Sequence, residues 1–147
     1  MTWRPRNESA GDVEREALIL DAFCDAMSYA RWIKLSESLY EIDAACFDSL
    51  DALMAWAEAK SRTKLYDHVL LSAAKALQLY RLHLATHVPA WFVIHVPGHG
   101  VMVHRIRAPH DYRIALAGND RGQNGDKEPC IFIDHSAFSI IAPPLWE

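Results

Sequence analysis

The stretch Trp91–Arg107, WFVIHVPGHGVMVHRIR, constrains this chain more than any other segment. Two runs rich in aromatic and β-branched residues flank Pro97-Gly98-His99-Gly100, a pattern that predicts paired antiparallel strands around a tight loop. A loop of even length pairs Val96 with Val101 and His95 with Met102; an odd length would shift every partner by one. Strand alternation in the even register puts Trp91, Val93, His95, Met102, His104 and Ile106 on one face, and the other face is also mainly apolar. A hairpin apolar on both sides must be covered on both sides.

The first half of the chain is expected to supply that cover as helices. From Asp12 to about Lys34, Leu20, Phe23, Met27 and Ala30 recur at helical spacing with acidic residues toward the start. From Asp43 to Arg62, Phe47, Leu50, Met54 and Ala57 form a second stripe, with Asp48, Asp51 and Glu58 turned elsewhere, and Asp43 is one of the side chains able to cap that helix. A third helix is expected from about Lys64 to Thr86, stopped by Val88-Pro89. Beyond the hairpin, Tyr112–Ala117, Cys130–Asp134 and Phe138–Ala142 read as strands, 118–129 as a glycine-rich loop, and Trp146 as a docked tail residue. The expected fold is therefore α+β: one domain over 1–147, a helical N-terminal half followed by a mostly antiparallel sheet built on the hairpin 91–107.

Composition narrows the function classes. A net charge of −4 argues against broad binding to phosphate backbones, so direct nucleic-acid binding is not expected. The N-terminus MTWRPRNESAGDVERE has no apolar core of the signal-peptide kind, and no later segment has the apolar length of a membrane span, which makes a cytoplasmic protein the expectation. Cys24, Cys46 and Cys130 form no CxxC pair and read as buried free thiols.

Histidine offers the most visible chemistry. In the even register His95 and His104 are diagonal neighbours about 7–8 Å apart, and with His99 and His135 they make a candidate zinc cluster. Histidines that border the core and hydrogen-bond locally are the commoner arrangement. His83 and His87 stand one helical turn apart in HLATH, but Leu84 occupies the position where HExxH has its general base. Asp134-His135-Ser136 contains hydrolase residue types in an order that neighbouring positions cannot assemble into a triad. The loop Asp120–Asp126 lacks the bidentate glutamate of a calcium loop. No nucleophile elbow, dinucleotide fingerprint or phosphate loop is present, so no catalytic residue and no cofactor are expected, and a non-enzymatic binding role remains. Trp3, Trp32, Trp56 and Trp146 are the candidate partner-binding anchors.

Taken over nearly its full length, with Trp56 in LMAWAEAK, the WFVIHV and GVMVHRI runs and the polar loop before CIFID, the chain resembles the RsaM-type quorum-sensing regulator family. That resemblance implies an α+β homodimer that represses acyl-homoserine-lactone quorum sensing through contacts with the quorum-sensing machinery, without catalytic residues. Two other readings stay open from the residues: a histidine-based metal-binding protein or metalloenzyme, and an immunity or antitoxin-like inhibitor of a partner protein.

Overall fold

A computed structural model describes residues 10–36, 38–118 and 127–147. Helix α1, Ala10–Met27, leads into strand β1, Arg31–Lys34; then come β2 (Ala44–Phe47), β3 (Leu53–Ser61), β4 (His68–Ser72), α2 (Ala73–Thr86), β5 (Ala90–Val96), β6 (Gly100–Arg105), β7 (Arg113–Gly118), β8 (Lys127–Asp134) and β9 (Ser139–Ala142). Six strands form one sheet in the order β1-β2-β3-β5-β6-β9, and β4-β8-β7 form a second. All pairings are antiparallel except β3 with β5, which are joined through α2 and run parallel. The α+β class, with a helix first and a largely antiparallel assembly after it, is as the sequence implies.

The larger sheet is covered on both faces. Ile19, Leu20 and Phe23 of α1 pack over Ala44, Cys46, Ala55, Ala57, Ala59, Val93, Val101 and Val103. Ala76 and Leu79 of α2, with Val69, Leu71, Ile131 and Ile133 of the smaller sheet, cover Ala45, Trp56, Phe92, Ile94 and Met102 on the opposite face. The alanines of β2 and β3 explain why α1 can lie close on the sheet: side chains of one carbon leave room for Phe23 and its neighbours. All three cysteines are free and buried, with the Cys24 and Cys46 sulfurs 3.9 Å apart between α1 and β2.

Three segments depart from the helical expectation. The first helix stops at Met27, where Ser28 takes a φ of 61° and the chain turns into β1. Residues 43–62 form the β2–β3 hairpin in place of a helix. At its turn Asp48 accepts hydrogen bonds from the amides of Leu50 and Ala52 at 2.8 and 2.9 Å, and Asp51 adopts a left-handed φ of 64°. The third segment is divided between β4 and α2, which begins only at Ala73 and ends at His87 in a left-handed C-cap, just before Pro89.

The central hairpin forms as expected, but in the odd register. His95 pairs with Val101, Ile94 with Met102 and Phe92 with His104, leaving a loop of Pro97, Gly98 and His99. His95 and His104 consequently lie on opposite faces of the sheet. Positive φ at Gly98 (80°) and Gly100 (113°) produces the odd loop. The two glycines are unequal. A Cβ at Gly98 meets nothing within 4 Å, whereas at Gly100 it would stand 2.2 Å from the Ala142 carbonyl oxygen of β9. Gly98→Ala should cost about 1 kcal/mol from backbone strain, and Gly100→Ala about 3 kcal/mol or more because strain and a backbone collision add. Thermal denaturation followed by circular dichroism measures both, and equal losses would refute the collision.

Candidate active site

The most unusual feature of the core is a set of charged side chains beside β3. Alternation along β3 sends Ala55, Ala57 and Ala59 toward α1 and Trp56 and Glu58 toward α2. Glu58 is 0% exposed, in the middle of a central strand. Asp43, immediately before β2, is nearly as deeply buried and continues the register in which Ala44 faces Ala57, so it lies across from Glu58. Its Oδ2 accepts a hydrogen bond from the Ala59 amide at 2.8 Å, fixing one carboxylate against the strand that carries the other.

Lys75 and Lys60 act on this pair, and Lys60 links it to a third carboxylate, Glu16, which Lys34 also approaches. Lys75, in the first turn of α2, donates from Nζ to Glu58 Oε1 at 3.0 Å and Oε2 at 3.3 Å. Lys60, two residues along β3 from Glu58, places Nζ 3.9 Å from Oε1 of the buried Glu16 on α1, and Lys34 of β1 approaches Glu16 Oε2 at 3.9 Å. Helix α1, β1, the residue before β2, β3 and α2 thus each contribute to one polar cluster.

Its electrostatics are strained. Burial, followed by the negative charge of Asp43, pushes the Glu58 carboxyl up to about 8, with Lys75 and Lys60 pulling in the opposite direction. Burial alone would lower the Lys75 ammonium, but Glu58 and then Asp43 outweigh it and leave its affinity for the proton raised. Two carboxylates held together in a dry site need more positive charge than one ammonium provides.

A divalent, oxygen-seeking cation meets that need. Magnesium is commonly held by one or two carboxylates together with water and substrate phosphate, and Asp43 and Glu58 supply that donor set. Two carboxylate donors suit a hard ion that shares its coordination with water and substrate oxygens; among the described residues no group of three or more His, Cys, Asp or Glu side chains converges as a metal cage.

The residues singled out from the sequence lie elsewhere. His95 is buried on the α1 side, its Nε2 accepting from the Leu145 amide at 2.9 Å and its ring 3.9 Å from that of Trp146. His104 bonds the Tyr112 hydroxyl at 2.7 Å and the Ala137 carbonyl at 3.1 Å on the opposite face. His99 is exposed in the hairpin loop, and His135 bonds the Tyr66 carbonyl at 3.2 Å. His83 bonds the Val88 carbonyl at 2.8 Å. Asp134 caps a short turn through Ser136. The candidate calcium loop and Trp3 lie outside the described residues. Trp32 donates to Asp21 at 2.8 Å, Trp56 is buried against Tyr40 and donates to Thr86 at 3.0 Å, and Trp146 docks on His95 as expected of the tail.

Asp43, Glu58 and Lys60 were not legible as a set while 43–62 read as a helix, where Glu58 falls on the polar side. The available signal was an aspartate at a strand start followed by Glu58-Ala59-Lys60 on an alternating strand.

In fold the chain is similar to the 1.6 Å structure of Hjc from Archaeoglobus fulgidus, a Holliday junction resolvase from an archaeal hyperthermophile, with a TM-score of 0.58 at 17% identity over 87% of each chain. No curated protein matches this chain. Residues 2–141 match the family described as "Phage putative PDDEXK endonuclease", and the chain belongs to that family. Asp43 and Glu58-Ala59-Lys60 answer to the D and E-X-K of its label, with Ile42 where the label has proline.

Family membership overturns the resemblance to RsaM-type regulators, and with it the non-enzymatic, repressor and quorum-sensing expectations. The histidine-metal and immunity-protein alternatives fall with it, as does the expectation that nucleic acid is not a partner. The physical reason is local. Net charge averages over the whole surface, whereas this cluster depends on six charged residues brought together from α1, β1, the β2–β3 hairpin and α2.

Proposed function

We propose that the protein is a divalent-metal-dependent endonuclease that hydrolyses DNA phosphodiester bonds at the Asp43–Glu58–Lys60 site. The observation that carries this reading is the buried Glu58 beside Asp43, with Lys60 two residues away on the same strand. Asp43 and Glu58 would hold the ion. When bound, the ion supplies charge neutralisation at the phosphoryl oxygens and a more acidic water. The Ala59 amide keeps Asp43 oriented toward the strand. Lys60 stabilises negative charge developing on the phosphate during attack, and Glu16 steers its ammonium.

Two finer expectations belong to this reading: that 1–147 acts as one domain in the cytoplasm, and that it works as a homodimer, for which the exposed Ile114 and Leu116 of β7 offer apolar surface. Among the described residues no helix is long and apolar enough to cross a membrane.

The test is incubation with labelled linear duplex and four-way-junction DNA in Mg²⁺ or Mn²⁺. Cleavage should appear with metal, cease with chelator and be absent from a Glu58→Gln preparation that controls for contaminating nucleases. Intact DNA of both kinds in both metals would sink the proposal.

A further inference from the structure

Lys75 contradicts two local rules. A lysine in the first turn of a helix sits at the positive end of the helix dipole, and the first turn of α2 has no acidic residue to offset it. Its ammonium also points inward, onto a carboxylate with no exposure. Ala73, Ala74 and Ala76 around it leave space for the stem, and Leu79, buried one turn later, anchors the helix. A residue that defies local preference and is held chiefly by a buried carboxylate is a candidate for a functional role.

The contact itself limits what that role can be. Lys75 Nζ lies within 3.3 Å of both Glu58 oxygens, the same oxygens a divalent ion would use. Two cations crowding one carboxylate in a dry site repel each other strongly, so Lys75 and the ion compete for Glu58. Lys60 stays with Glu16, and the 30% exposure of the Lys75 side chain gives it a solvent-facing side into which to move. The anion that enters together with the metal is the DNA phosphate.

We infer that Lys75 is a substrate-contacting lysine held in reserve: it pairs with Glu58 in the metal-free protein and transfers to a phosphate oxygen of DNA when a divalent ion takes Glu58. This rests on the nuclease reading. It predicts a phosphate contact that exists only with metal present, which a purely structural lysine would not give.

The experiment compares wild type, Lys75→Met, Lys75→Gln and Lys75→Arg by fluorescence anisotropy of labelled duplex DNA, in chelator and in saturating Ca²⁺. In chelator all four should bind within about twofold of one another. In Ca²⁺ the Met and Gln variants should bind about tenfold more weakly, with a slope of log K against log salt shallower by about one, and Arg should recover most of the loss. Gln retains a donor toward Glu58, so it reports even where Met fails to fold. Equal losses with and without Ca²⁺, or none in either, would overturn the role of Lys75. If wild type responds to Ca²⁺ and cleaves DNA while the variants track it in both conditions, this inference alone fails. If wild type neither responds to Ca²⁺ nor cleaves, the nuclease reading fails as well.

Discussion

Glu58→Gln should abolish cleavage while making the metal-free protein more stable. Glutamine keeps the shape of the side chain and an acceptor for Lys75 but cannot ionise. It therefore removes the charge that burial and Asp43 oppose, and with it one of the two carboxylates proposed to hold the ion. The expected loss of activity is about 10³-fold or more. The stability gain follows from linkage. The native state holds the Glu58 proton more tightly than the unfolded chain does, with its pKa raised from 4.5 to about 8. Between those two values the folded protein binds more protons than the unfolded one. Metal-free wild type therefore loses stability as pH rises through that window and loses no more above it. A shift of that size corresponds to roughly 3–5 kcal/mol. Urea denaturation across pH 4–9 reads this directly: wild type should decline through the window, the variant should run flatter, and Mg²⁺ should restore wild type alone. A variant equal to or below wild type in stability at pH 8 would show that Glu58 is not the strained group.

Lys60→Met should cost about 10²–10³-fold in turnover while leaving metal binding nearly intact. Methionine preserves much of the apolar stem and the strand, and the oxygens of Asp43 and Glu58 proposed to hold the metal are untouched. What is lost is the ammonium that sits 3.9 Å from Glu16 Oε1. Glu16 keeps its approach from Lys34 at 3.9 Å, so the protein should stay folded at a cost of about 1–3 kcal/mol for the weakened pairing of a buried carboxylate. Single-turnover cleavage gives the rate, and Ca²⁺ calorimetry gives the affinity. Turnover within fivefold of wild type would remove Lys60 from the chemistry. A matching fall in Ca²⁺ affinity would instead move it into the metal-holding set.

Much of the fold can be read locally, because β5 and β6 are long, β-branched and bounded by glycine, and Pro89 has no way to continue a helix. The β2–β3 hairpin misleads for an equally physical reason. Alanine is the best helix former, and Ala44, Ala45, Ala52, Ala55, Ala57 and Ala59 favour a helix by propensity. In the folded protein alternate alanines lie under α1, where their small size matters more than their propensity. The error carried directly into function, since a glutamate on the wet side of a helix suggests nothing, whereas the same glutamate at the centre of a buried strand requires a partner.

The sequence by itself determined the α+β class, the central hairpin, the helix stop before Pro89 and the docking of Trp146, because each depends on neighbouring residues or on a repeated pattern. The tertiary structure alone decided the hairpin register, which turns on positive φ at Gly98 and Gly100, and the assembly of Glu16, Asp43, Glu58, Lys60 and Lys75 from two helices and the β2–β3 hairpin. Burial gives those charges their chemistry, and burial belongs to the packed chain rather than to any one segment of it.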